Sequence, residues 1–438
     1  MTSRSLRNIT LILLSLTTAC SSAHRQQEVI STYQQGYLAP ADELLSEQIA
    51  HEMPQNAYWK SKNAVTLLLD RATIRFTEGD TSHAIQDYDL ALQALDYYGQ
   101  DSTIDTAGQL LFEDGCGAYC GSNLEQILAR VYFALTLLHQ GDENNACALL
   151  RQAEELQQRF QQSIQPYLKD HFCNDNALAK YLLALLLEYQ DDTSNAAILY
   201  QQVQELNGIL PVDLNLCTEA EKHATLVIIC HNGNVPFKIS DTCPASIASA
   251  LALEMILASQ DIRPAYSSFT GIPVPALCQQ WPSCPLPTTI SLDGVCTPLS
   301  PILDVAAAAY NELEYKKPLI VARGVARFLL RRTAVAFAEG QDPCLGALVD
   351  FGIFIANAST KADTRSWRTL PSSIDLIRYR LAPGLHNIGI AVTGYGNNRY
   401  EEQCCIVLKA HDLCVINIFN IHPHVTINLI PTRFLKGE

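Results

Sequence analysis

The chain has 438 residues, 48% of them hydrophobic and 17% charged, and 45 acidic against 30 basic side chains set its formal charge at −15. A chain of this composition can bury enough apolar surface to fold, which excludes wholesale disorder, and its length exceeds one ordinary hydrophobic core. The acidic excess argues against nucleic acid as a partner, because phosphate is repelled wherever no local basic stripe forms.

Arg4 and Arg7 precede an apolar run from Ile9 to Leu16, and small residues follow up to Cys20. That order reads as a secretory signal over residues 1–19, since the run is shorter than the roughly 20 residues a permanent span needs. Thr17, Thr18 and Ala19 ahead of Cys20 resemble a bacterial lipobox, with Leu16 four residues before the cysteine and Thr17 in the position leucine usually takes. The resemblance implies that Cys20 is lipidated and that residues 20–40 tether the body to a membrane. The acyl chains supply the anchoring energy, about 0.8 kcal/mol for each buried methylene. Ser21 resembles the sorting residue of lipoproteins destined for the outer membrane of Gram-negative bacteria, facing the periplasm or the surface. Disulfides are permitted in that compartment. Of 15 cysteines, Cys116 with Cys120 in GCGAYCG and Cys278 with Cys284 in CQQWPSC form the candidate local pairs. Zinc is the rival reading, but it favours closer and more regular spacing, so neither a metal nor another cofactor is expected.

Helical periodicity dominates residues 41–206. Ala72 stands seven residues before Gly79-Asp80, and Ala84, Tyr88 and Ala91 follow. The figure recurs around Gly141-Asp142, with Ala134 before and Ala146, Leu150 and Ala153 after, and around Asp191, with Ala184 before and Ala196, Tyr200 and Val203 after. These units resemble tetratricopeptide repeats, in which small residues let antiparallel helices approach. Their separations, 62 and then 50 residues, imply a degenerate array with insertions. The insertion from Gln109 to Gly121 reads either as a binding loop at the mouth of the groove or as a pinned connection that caps the next helix through Ser122 or Asn123.

The periodicity stops between Leu206 and Asp213, where Pro211 interrupts the chain. A boundary is predicted there, with residues 28–206 expected to fold alone and 213–438 forming an α+β domain. Leu226 to Cys230 reads as a strand, Ser246 to Gln260 as a helix, and Ile302 to Gly340 as helix interrupted near Pro318. The part from 374 to 438 is β-rich, and alternation in DLIRYRL and HNIGIAV predicts one wet face for each. The predicted class is α+β: a tetratricopeptide-like helical half, a mixed middle region and a C-terminal antiparallel β element.

No complete catalytic constellation stands out, so no catalytic residue is assigned. Cys230 and His231 are adjacent on a predicted strand and face opposite ways, Ser268 lacks a nucleophile elbow, and His422 with His424 offers only two metal ligands. Arg323, Arg327 and Arg331 share a helix face, as an anion site or as partners for the acidic excess. Asp363, Arg365, Trp367 and Arg368 form the densest polar and aromatic cluster, an interface or a structural corner.

The lipobox, the repeats, HNGNVPFK, ARGVARFLLRR and ADTRSWRTLP before PGLH together resemble a family of bacterial envelope lipoproteins of tetratricopeptide type, from about Ala41 onward. The resemblance implies location and fold and brings no established activity. The expected function is a lipid-anchored scaffold that binds an envelope protein through the repeat groove, without catalysis. The alternative is an envelope hydrolase with a site between the halves, which a cleft holding a Cys or Ser within reach of a His would favour.

Overall fold

Apolar residues at helical spacing, interrupted by left-handed residues and aspartates, build three helical hairpins among the described residues. The computed structural model describes residues 25–99, 115, 117–163, 176–217, 223–242, 272–279, 288–342, 346, 349, 360–393, 399–421 and 430–431. A helix over 25–34 (α1) and α2 (Leu38–Glu52) precede the pairs α3 (Ala64–Glu78) and α4 (Thr81–Tyr98), α5 (Asn123–His139) and α6 (Glu143–Ser163), and α7 (Ala177–Tyr189) and α8 (Thr193–Asn207).

Each hairpin turns in the same way. Gly79, Gly141 and Asp191 adopt φ of 97°, 75° and 64°. The following amides of Asp80, Asp142 and Asp192 return to the carbonyls of Arg75, Leu137 and Leu187 at 2.9, 3.0 and 2.8 Å. The same aspartates accept from the amides of His83, Asn145 and Asn195. One residue therefore closes one helix and caps the next. Ala72, Ala84, Ala134, Ala146, Ala184 and Ala196 of the repeat pattern are all buried, which permits the close approach of paired helices.

Two sheets follow. The first runs β1 (Asp213–Asn215), β8 (Ser373–Leu381), β2 (Ala224–Asn232), β11 (Leu413–Asn420), β12 (Ile430–Pro431), with β7 (Ser300–Asp304) also on β8. The second, wholly antiparallel, runs β10 (Arg399–Leu408), β9 (Gly384–Thr393), β5 (Thr288–Leu292), β6 (Val295–Pro298). A separate antiparallel ribbon joins β3 (Phe237–Thr242) and β4 (Pro273–Cys278). In the first sheet β1 with β8 and β2 with β11 are parallel, and the remaining pairs are antiparallel.

Leu226, Ile228 and Tyr379 face Ile290, Ile390 and Val392 of the second sheet across one core. The alternate residues Val227, Ile229, Leu376, Val415 and Phe419 belong to the core of the helices. Strand β2 is thus buried on both faces, the reason its sequence is a continuous apolar run. The same holds for β8, which corrects the single wet face expected of DLIRYRL: its outward residues are covered by helices. β9 keeps one, with Leu385 and Asn387 exposed and Ile388 and Ile390 buried.

The class is α+β, with helices N-terminal and, in the middle and C-terminal regions, one mixed sheet in which most pairs are antiparallel and one wholly antiparallel sheet. The helices end at Asn207 and β1 starts at Asp213, inside the predicted break. One apolar core nevertheless runs from Val29 of α1 to Ile421 beyond β11, so the break changes secondary structure and not core. Helix α9 (Val305–Gln341) passes through Pro318 without the predicted interruption. Proline removes one backbone bond, but Glu312 and Ile320 dock the helix on either side of it and hold its course.

Candidate functional site

The start of α5, residues 118–121 before it, the β3–β4 ribbon, α9 and the segment 363–370 enclose a cleft of about 270 Å³ between the helical and β regions. Each wall has a local cause. Ser122 caps α5 by accepting from the Glu125 amide at 3.2 Å, and the Glu125 carboxylate accepts from the Ser122 amide at 2.9 Å, a capping box. Glu125 also accepts from the Trp367 amide at 2.8 Å and from the Tyr119 hydroxyl, so one carboxylate ties the stretch 119–125 to the segment that holds Trp367. Burial, reinforced by that carboxylate, drives the Tyr119 phenol well above its ordinary range, and it stays protonated.

Glu312 of α9 accepts from the first two amides of α5, those of Asn123 and Leu124, at 2.7 and 3.0 Å and from Lys316 at 2.6 Å. Burial opposes its charge, yet Lys316 and the two amides hold its carboxyl below the usual carboxylate range. An anion from one part of the chain thus fills the helix N-terminus of another.

The segment 363–370 forms the corner anticipated as one of two readings. Arg365 makes a paired contact with Asp363 at 2.9 and 2.8 Å and donates to the carbonyls of Lys62 and Gly117. Trp367 is 1% exposed, donates from Nε1 to Thr73 and Thr369, and sets its ring edge-on to Tyr88 and Tyr132. Asp70 Oδ1 accepts from the amides of Arg368 and Thr369 and from the Thr369 hydroxyl. The Arg368 guanidinium lies over the Phe237 ring.

Three stretches singled out in the sequence meet here. Tyr119 and Cys120 come from the glycine and cysteine loop, Arg323 from the arginine-rich helix, and Asp363, Arg365 and Trp367 from the polar cluster. The other arginines diverge: Arg327 is buried, and Arg331 reaches Thr360 at 3.3 Å. Leu124, Leu313, Ile320 and Trp367 supply apolar wall. Lys238, Glu125, Glu312 and Ser366 were not picked out by sequence reasoning. The capping box Ser122-x-x-Glu125 was readable, whereas Lys238 and Glu312 reach the cleft only through long-range packing.

Cys20, Cys116, Cys284, Ser268, His422, His424 and the predicted helix 246–260 lie outside the described residues. Cys120 donates to the Tyr98 carbonyl at 3.1 Å, and Cys278 ends β4, half-buried. Cys230 and His231 face opposite cores as the strand geometry requires. Cys230 meets Thr288 at 3.4 Å, and burial pushes its thiol up to about 12. His231 meets Tyr132 at 2.9 Å and Asn417 at 3.0 Å, and burial pushes it down to about 4. Among the described residues no histidine lines the cleft, no group of three His, Cys, Asp or Glu side chains is placed to hold a metal, and no helix is long and apolar enough to cross a membrane. Comparison with family models, with curated proteins and with solved structures finds no match.

Proposed function

We propose that this protein is a lipid-anchored component of the bacterial envelope that works by holding a ligand, and that the ligand sits in the cleft between the helical and β regions. The leader ending at Cys20 supports the anchor. The cleft supports the binding role: it is concave, walled by five separate stretches of chain, and combines apolar surface with converging polar groups.

The repeat groove is the seat expected from sequence, but the first helix of every hairpin faces the sheet. Phe76 of α3 packs on Phe419, Tyr132 of α5 bonds His231, and Glu188 of α7 pairs with Arg378. That face of the array holds the chain's own β-strands. An envelope protein partner would instead meet the outward faces of α4, α6 and α8, where Gln93, Glu155 and Ile198 are exposed. The hydrolase alternative gains no support from the cleft, whose described lining pairs no cysteine or serine with a histidine.

Two experiments test the reading. Radiolabelled fatty acid should be incorporated by the wild-type protein and not by Cys20→Ser; label retained on the variant sinks the anchor. Native mass spectrometry of the full chain released from its membrane should show a bound species, lost in a cleft-filling Ala309→Trp variant of unchanged thermal stability. A bound species retained by that variant places binding elsewhere.

A further inference from the structure

The charges lining the cleft run against the charge of the molecule. Lys238, Lys316, Arg323 and Arg365 stand against Glu125, Glu312 and Asp363, an excess of one positive charge in a chain of −15. Four of these seven charges are matched in two ion pairs. Arg365 is held by Asp363 and Lys316 by Glu312, while Glu125 accepts from the amides of Ser122 and Trp367 and from the Tyr119 hydroxyl. Lys238 differs. Its ammonium donates to the Tyr119 hydroxyl at 3.3 Å and the Arg365 carbonyl at 3.1 Å, both neutral oxygens, and no carboxylate among the described residues lies within ion-pair distance of it. An ammonium has three donors, so one remains for a ligand.

A second group points the same way. Ser366 lines the cleft, is 6% exposed, and its hydroxyl is buried with no hydrogen-bond partner. A buried hydroxyl left unpaired costs free energy that a bound acceptor recovers. The remaining wall, from Leu124, Leu313, Ile320 and Trp367, is apolar.

Resting on the reading of the cleft as a ligand site, we infer that its ligand is a small amphipathic monocarboxylate, with the carboxylate on Lys238 and Ser366 and an alkyl body along the apolar wall. A single unmatched ammonium suits a monoanion better than a dianion, whose second charge would face Glu125 or Asp363. The cleft, about 270 Å³ in volume, has room for a medium-length acyl chain along this wall.

The test is calorimetric titration of the full chain in zwitterionic nanodiscs, blanked against empty discs, with octanoate, octan-1-ol and octylamine. Octanoate should bind one to one and octylamine should not. Lys238→Gln should weaken octanoate at least tenfold and leave octan-1-ol unchanged, Lys238→Arg should restore it, and Ser366→Ala should weaken it less. Circular dichroism melting of each variant checks that the fold survives. Octanol and octanoate binding alike, with Lys238→Gln without effect, overturns the carboxylate inference while leaving a ligand cleft. Neither probe binding, with a native bound species still lost in Ala309→Trp, likewise overturns the ligand class alone. No binding of any kind, with no native species, overturns both.

Discussion

Asp70 and His231 are buried titratable groups whose effects on stability run in opposite directions with pH. Burial pushes the Asp70 carboxyl up to about 7, despite the nearby Arg368 charge and the Thr369 donors. The folded state therefore holds a proton that the unfolded chain releases near pH 4, so this group's contribution is full below that pH and is lost as pH rises toward 7. Around His231 the Tyr132 hydroxyl donates to Nδ1, Nε2–H donates to the Asn417 carbonyl, and the Asn417 amide donates to His139 Nε2 at 3.1 Å, a chain that both rings complete as neutral imidazoles. Burial pushes His139 down to about 3 and His231 to about 4. Here the unfolded state binds more protons, so stability falls as pH drops from about 6.5 toward 4. Urea midpoints measured from pH 4 to 8 should show Asp70→Asn gaining on the wild type as pH rises to 7. His231→Gln should lose roughly 1–3 kcal/mol at pH 7, because Tyr132 and Asn417 lose a partner, and the deficit should shrink toward pH 4. Parallel profiles for wild type and both variants would remove these groups from the linkage. None of these burials was legible in the sequence. His231 reads as a strand residue before a turn, and Asp70 as one more helix acid, until packing brings Tyr132 and Thr369 against them.

At the scale of elements the sequence was most informative where one residue does two local jobs. The three turns were visible as Gly-Asp, Gly-Asp and Asp-Asp at matching distances from small residues, because a left-handed closing residue and a capping aspartate are both requirements of a short stretch of backbone. The turns predict a graded response. A side chain at Gly141 would meet nothing within 4 Å, so Gly141→Ala should cost about 1 kcal/mol through the backbone alone, and Asp191→Gly should add a similar amount of stability. Thermal unfolding of both variants checks this, and a cost at Gly141 with no gain at Asp191 would show that Asp191 already offsets its strain by side-chain contacts. Elements set by distant partners were less legible. The outward side of β8 is covered by helices that precede it by more than a hundred residues, and β8 and β9, neighbours in sequence, belong to different sheets. Helix α9 looks breakable at Pro318 because its docking through Glu312 cannot be seen locally.

At the scale of the molecule, the break in periodicity near Pro211 invites the view that two independent units are joined there, but the burial pattern opposes it. The first helix of each hairpin is buried almost all round: Leu67, Leu69 and Phe76 on α3, Ile127, Val131 and Tyr132 on α5, and Leu178, Leu182 and Leu186 on α7 are each at most 1% exposed. One side of such a helix is covered by its hairpin partner and the other by the sheet strands β2, β8 and β11. Removing residues beyond 206 would expose Phe76 and Tyr132 and strand Glu188, whose partner Arg378 lies on β8. Helical propensity and hairpin turns would survive, being local, while specific packing would not. Residues 28–206 expressed alone should therefore show helical far-ultraviolet circular dichroism with weak near-ultraviolet signal, bind a hydrophobic dye and self-associate in the ultracentrifuge. The full chain should unfold in one transition by both probes. A monomeric fragment with sharp near-ultraviolet bands and a cooperative melt would mean that the helical array closes its own core, and would return its inner face to the role of a groove open to a partner.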